Sequence, residues 1–88
     1  MIYFQDILFN SVSEGLQWFR DNHNIYGQIE LDMTSYPKFA YSIYKYENHE
    51  FKNITGENRH YSDLYRSYPE AEYYCLMKIF EIYDEIFS

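Results

Sequence analysis

Between Ile25 and Met33 the chain alternates without a break, with Ile25, Gly27, Ile29, Leu31 and Met33 in one phase and Tyr26, Gln28, Glu30 and Asp32 in the other. Only an extended backbone places every second side chain on one face, so this segment reads as a strand with one buried and one wet side. A lone strand is not stable, and the next residues supply its neighbour. Thr34-Ser35-Tyr36-Pro37-Lys38 has turn chemistry, and Phe39 to Tyr46 is rich in Tyr, Phe and Ile, the residues that favour strands. Residues 25–46 are therefore expected to form an antiparallel hairpin.

On either side the period changes to that of a helix. Ser11-Val12-Ser13-Glu14 has the S-x-x-E form, in which the Ser oxygen accepts from an orphan backbone N–H while the Glu reaches back to the cap. Val12, Gly15, Leu16 and Phe19 then recur at helical spacing, and Asn22-His23-Asn24 ends the run because Asn tolerates the left-handed conformation. A helix over 11–23 follows. Ser67-Tyr68-Pro69-Glu70 repeats the cap and adds a Pro in the first turn, opening a long helix over 68–87. Ala71, Cys75, Ile79, Ile82 and Ile86 form one stripe on it, and Leu76, Phe80, Tyr83 and Phe87 form another beside it. That apolar face is wider than a surface helix needs, so something besides the hairpin is expected to cover the surplus.

Residues 47–66 are less regular. Phe51 to Thr55 suggests a short third strand, Gly56-Glu57-Asn58 a turn, and Asp63 to Arg66 another short strand. Residues 1–10 are apolar but lack a cationic leader and a small-residue cleavage site, and the run is too short to span a bilayer. They are expected to pack on the core as a strand or a helical turn. The predicted fold is thus a single α+β domain over 1–88: a small antiparallel sheet of two to four strands, its faces covered by the N-terminal and the long C-terminal helix.

With 88 residues the core is small, and the single cysteine, Cys75, excludes an intramolecular disulfide framework. Those facts favour a reducing, cytoplasmic setting and make stabilisation by self-association or by a partner plausible through a sheet edge. Aromatic residues are 23% of the chain, which excludes intrinsic disorder. The net charge of -7 opposes nonspecific attraction to nucleic acid or anionic lipid, so a membrane partner is not expected. The charge is uneven: residues 1–33 and 68–88 carry -4 each, and residues 34–67 carry +1, with Lys38, Lys45, Lys52, Arg59 and Arg66 among many tyrosines.

No motif for chemistry emerges. His23, His49 and His60 lack the close pairing that zinc sites use, so neither metal nor cofactor is expected. His23 sits at a helix end, where a cation favours the dipole. Cys75 lies on the apolar stripe, away from any helix N-terminus or basic cluster that would activate it, and reads as core. The many carboxylates read as solvated faces, and no nucleophile elbow, phosphate loop or dinucleotide fingerprint occurs. Asn53-Ile54-Thr55 fits the N-glycosylation pattern, which has meaning only in a secreted chain. The chain is expected not to be an enzyme.

Gly15-Leu16-Gln17-Trp18-Phe19-Arg20-Asp21-Asn22-His23-Asn24-Ile25, the Tyr-rich second strand, and Ser67-Tyr68-Pro69-Glu70-Ala71-Glu72 opening a Leu/Ile-rich helix together resemble small proteins of phages and mobile elements of gut and related bacteria. The resemblance spans roughly residues 11–87 and carries no motif specific to a chemistry. It implies an α-β-β-α sandwich and, at the level of class, an anti-defence inhibitor of the anti-CRISPR kind that binds and disables a host enzyme.

Two binding modes follow from the residues. In one, Glu30, Asp32, Glu81, Asp84 and Glu85 present carboxylates to the basic groove of a host nucleic-acid enzyme or ribonucleoprotein, such as a CRISPR effector or another defence nuclease, with tyrosines as anchors. In the other, Tyr41, Tyr44, Lys45, Tyr46 and Lys52 form a stacking platform for single-stranded RNA or DNA. Alternation divides that platform, with Tyr44 and Tyr46 pointing one way and Tyr41 and Lys45 the other. Overall charge favours the first mode; a structural homo-oligomer is the third reading.

Overall fold

In a computed structural model, residues 1–32, 38–55 and 65–87 are described, apart from the side chains of Asp32 and Phe87. The expected turns around Thr34 to Pro37 and Gly56 to Asn58, the stretch Asp63-Leu64, and His60 lie outside the described residues. The elements run β1 (Ile2–Phe4), β2 (Ile7–Phe9), α1 (Val12–His23), β3 (Ile25–Asp32), β4 (Lys38–Glu47), β5 (Glu50–Asn53) and α2 (Tyr68–Phe87). This is an α+β fold with an antiparallel pair β1-β2 and an antiparallel sheet β3-β4-β5.

Local chemistry sets the helix ends. Ser11 Oγ accepts from the Glu14 N–H at 3.1 Å, while the Glu14 carboxylate accepts from the Asn10 N–H at 2.8 Å, one residue upstream of the cap. Asn24 closes α1 at φ 55°, donating its N–H to the Phe19 carbonyl, and the chain enters β3 at the next residue. Ser67 Oγ accepts from the Glu70 N–H at 3.2 Å to open α2.

The N-terminal segment packs on the core as a strand, as expected, but does so as a pair, and the third strand starts earlier than expected. Residues 1–10 form two strands, paired Ile2 to Phe9 and Phe4 to Ile7, with Phe4 and Phe9 turned inward. Phe4 stacks on Phe80 at 4.4 Å and also touches the rings of Phe19 and Tyr83, so this small hairpin sits on the seam between α1 and α2. It covers the second apolar stripe of α2. The strand after β4 also begins earlier than expected, at Glu50, because Asn48 and His49 both adopt positive φ and close a two-residue hairpin turn. Asn and His enter that region more readily than most residues.

Both helices lie on one face of the β3-β4-β5 sheet, where the sequence suggested that they would cover its two faces. Ile25, Gly27 and Ile29 of β3 and Ile43 of β4 point toward them. Gly27 permits the arrangement: a Cβ there would lie 2.7 Å from Cys75 Sγ of α2 and 3.1 Å from Leu16 Cδ2 of α1. A missing side chain in the edge strand thus lets both helices approach the same point. Phe9, Phe19, Ile25, Ile43, Leu76 and Ile79 fill the resulting core.

Candidate interaction surface

Strand alternation sends the remaining residues to the other face, which no described helix covers. Tyr26, Gln28 and Glu30 come from β3, Ala40, Ser42, Tyr44 and Tyr46 from β4, and Phe51 and Asn53 from β5. The register sets Tyr26 opposite Tyr44 and Tyr46 opposite Phe51. Phe51 meets Tyr26 edge-on at 5.2 Å and Tyr46 at 4.8 Å, yet it remains 59% exposed. Tyr26, Gly27, Gln28, Tyr44 and Phe51 line an open depression of about 480 Å³. Half-buried tyrosines around an exposed Phe51, lining an open depression, have the composition of a protein-binding anchor.

The polar end of this face is ordered by hydrogen bonds. Ser42, only 4% exposed, donates its hydroxyl proton to Glu30 Oε1 at 2.9 Å, fixing the carboxylate across the strand pair. Past β5, Thr55 Oγ1 accepts from the Ile43 N–H, and Asn53 Oδ1 accepts from the Thr55 N–H at 2.9 Å. The Asn53 side chain is thereby engaged in closing the end of the strand.

The residues singled out from the sequence are divided by the sheet. Glu30, Tyr44 and Tyr46 lie on the open face; Asp32 ends β3 opposite Lys38. Tyr41 faces the helix side and stacks on Tyr65 at 6.1 Å, which stacks on Tyr74 at 4.8 Å. Lys45 is also on the helix side, and Lys52 pairs with Glu47 at 3.1 Å. Glu81, Asp84 and Glu85 are exposed on α2, across the sheet from Glu30, with Glu81 paired to Lys78 at 3.4 Å. The five acids therefore do not share one face, and neither do the tyrosines and lysines of the expected stacking platform. Tyr26, Gln28 and Phe51 had not been singled out. Tyr26 was legible as the cross-strand partner of Tyr44, but Phe51 needed the Asn48-His49 turn to set its register.

His23, in the last turn of α1, lies between the rings of Trp18 at 5.0 Å, Phe19 at 5.9 Å and Tyr83 at 4.8 Å. Burial among these rings, reinforced by the Lys45 ammonium, lowers its pKa from the ordinary 6.5. The dipole of α1 favours the cation, whereas burial and Lys45 favour the neutral ring. Cys75 is fully buried on α2. Among the described residues no three His, Cys, Asp or Glu side chains gather as a metal site, and no helix is long and apolar enough to cross a membrane. Comparison of the chain with protein-family models, with curated proteins and with solved structures finds no match in any of the three.

Proposed function

We propose that this protein acts by binding another protein, without catalysis, and that it docks through the open face of β3-β4-β5. The observation that carries the reading is the cluster of half-buried Tyr26, Tyr44 and Tyr46 around an exposed Phe51, which no described helix covers. Aromatic anchors around a depression supply the desolvated centre of an interface. The net charge of -7 favours a basic partner and speeds encounter with it. A host nucleic-acid-processing enzyme or ribonucleoprotein, such as a CRISPR effector or another defence nuclease, has such a surface by necessity. The resemblance to small phage proteins supports an anti-defence setting for that partner, and the single cysteine supports a cytoplasmic one.

The test compares parent and Phe51→Ser/Tyr44→Ser proteins as baits for the same purified nuclease or host extract. A partner held by the parent, lost by the double variant and released by salt supports the reading. Equal recovery by both baits overturns docking through this face, and salt-independent affinity overturns the electrostatic part, because exposed charges are screened within about 10 Å at 0.1 M ionic strength. Binding of single-stranded RNA or DNA by the isolated protein would replace the reading with nucleic-acid recognition. Against that outcome stand the overall charge and the placement of Lys45 and Lys52 away from the aromatic face.

A further inference from the structure

Among the described residues strand β3 is an edge strand with one ladder unused. The Tyr46 N–H donates to the Asn24 carbonyl at 2.9 Å, and the register continues from there through Tyr26-Tyr44, Gln28-Ser42 and Glu30-Ala40. In an antiparallel pair hydrogen-bonded and non-bonded positions alternate. The backbone N–H and C=O groups of Ile25, Gly27, Ile29 and Leu31 therefore point away from β4, and among the described residues no strand pairs with them. The far side of β4 is engaged by contrast: Phe39 exchanges two hydrogen bonds with Tyr65, and the Ile43 carbonyl accepts from Ile54. Leu31, at the end of the open edge, is 52% exposed.

We propose that two copies of this chain join antiparallel along β3, with the two-fold axis at Gln28, to make one continuous six-stranded sheet. The outward groups fall on odd-numbered residues, so a two-fold pairing must set odd residues opposite odd. An axis at Gln28 does so, pairing Ile25 with Leu31, Gly27 with Ile29 and Tyr26 with Glu30 of the second copy. Tyr26 and Glu30 then stand side by side across the seam with no like charges opposed, and the Gln28 amides, each a donor and an acceptor, meet across the axis.

Charge selects this register over the one with its axis at Ile29, and the longer overlap, all of residues 25–31, selects it over the one with its axis at Gly27. With the axis at Gln28 the two Glu30 residues stand four steps apart along the seam, about 13 Å at strand spacing, beyond the physiological screening length of about 8 Å. An axis at Ile29 halves that separation and brings the like charges together. The pairing keeps both aromatic clusters on one face, which no described helix covers, flanking the seam. It does not depend on the host-partner reading.

The decisive experiment is cysteine crosslinking of the full chain, with the parent as control because Cys75 is fully buried. Gln28 would sit at a non-hydrogen-bonded pair, whose Cα spacing of about 4.5 Å suits a disulfide. Under mild oxidation Gln28→Cys is expected to convert almost completely to a covalent dimer, and Glu30→Cys to crosslink with Tyr26→Cys but not with itself. Leu31→Pro removes an outward N–H while leaving the β3-β4 ladder intact, so it is expected to reduce the light-scattering mass to that of a monomer without loss of the circular dichroism signal. Two copies of charge -7 repel, so added salt should strengthen the dimer, opposite to its effect on a complex with a basic partner. A parent that stays monomeric at every concentration and salt level, an uncrosslinked Gln28→Cys, or a dimer that survives Leu31→Pro each overturns the proposal.

Discussion

The two faces of the β3-β4-β5 sheet are built from adjacent residues of the same strands, yet they do opposite things. On one, Ile25, Gly27 and Ile43 are pressed against α1 and α2, with Ile25 and Ile43 fully buried. On the other, Tyr26, Tyr44 and Tyr46 gather around an exposed Phe51. The helices settle where aliphatic side chains and a glycine permit interlocking, and the broader tyrosines are left in contact with water. Tyrosine suits that position because its ring buries area while its hydroxyl stays hydrated. Stability should therefore be concentrated on the first face and recognition on the second.

Substitutions should separate the two. Leu76→Ala, which empties a fully buried site beneath α1, is expected to cost about 2–5 kcal/mol in a denaturant titration. Gly27→Val forces atoms into the space held by Cys75 and Leu16 and should cost about 1–3 kcal/mol by the same measurement. Phe51→Ala, losing a cross-strand aromatic pair, should cost only about 0.2–1 kcal/mol. In a binding assay with a captured partner the order should reverse, with Phe51→Ala the most damaging of the folded variants. A Phe51→Ala protein as unstable as Leu76→Ala would show that the open face belongs to the core.

The smallest effect concerns pH. Because the His23 pKa is lowered from 6.5 in the folded protein, the unfolded chain takes up its proton first on acidification. The neutral ring contributes its full stability above that value, and the contribution is lost as pH falls through the lowered folded pKa. His23→Gln should flatten this part of the stability profile, and an unchanged profile would show that the ring is not held neutral.

Much of the fold was legible in the residues themselves. Ser11, Ser67 and Asn24 act on backbone groups a few positions away, so their effect survives without knowledge of the rest of the chain. Alternation along the second strand of the hairpin, β4, already set Tyr44 and Tyr46 opposite in direction to Tyr41 and Lys45. The double stripe on α2 announced a second covering layer, but it did not say that Phe4 and Phe9 of an N-terminal hairpin would supply it. Asn48-His49 lacks the glycine that usually marks such a turn, so the third strand was legible from Phe51 onward but its start at Glu50 and the register of Phe51 were not. The grouping of Glu30 with Glu81, Asp84 and Glu85 failed for another reason. Shared charge says nothing about which side of a sheet a helix will occupy.

Periodicity and capping fixed where the chain is helical and where it is extended, because those signals act over a few residues, through backbone geometry and local side-chain-to-backbone hydrogen bonds. The choice of which sheet face to cover, and hence which tyrosines cluster in the open, was made only when the helices packed. An amphipathic ring is tolerated on either side, so the decision fell to the complementary shapes of Gly27, Cys75 and Leu16.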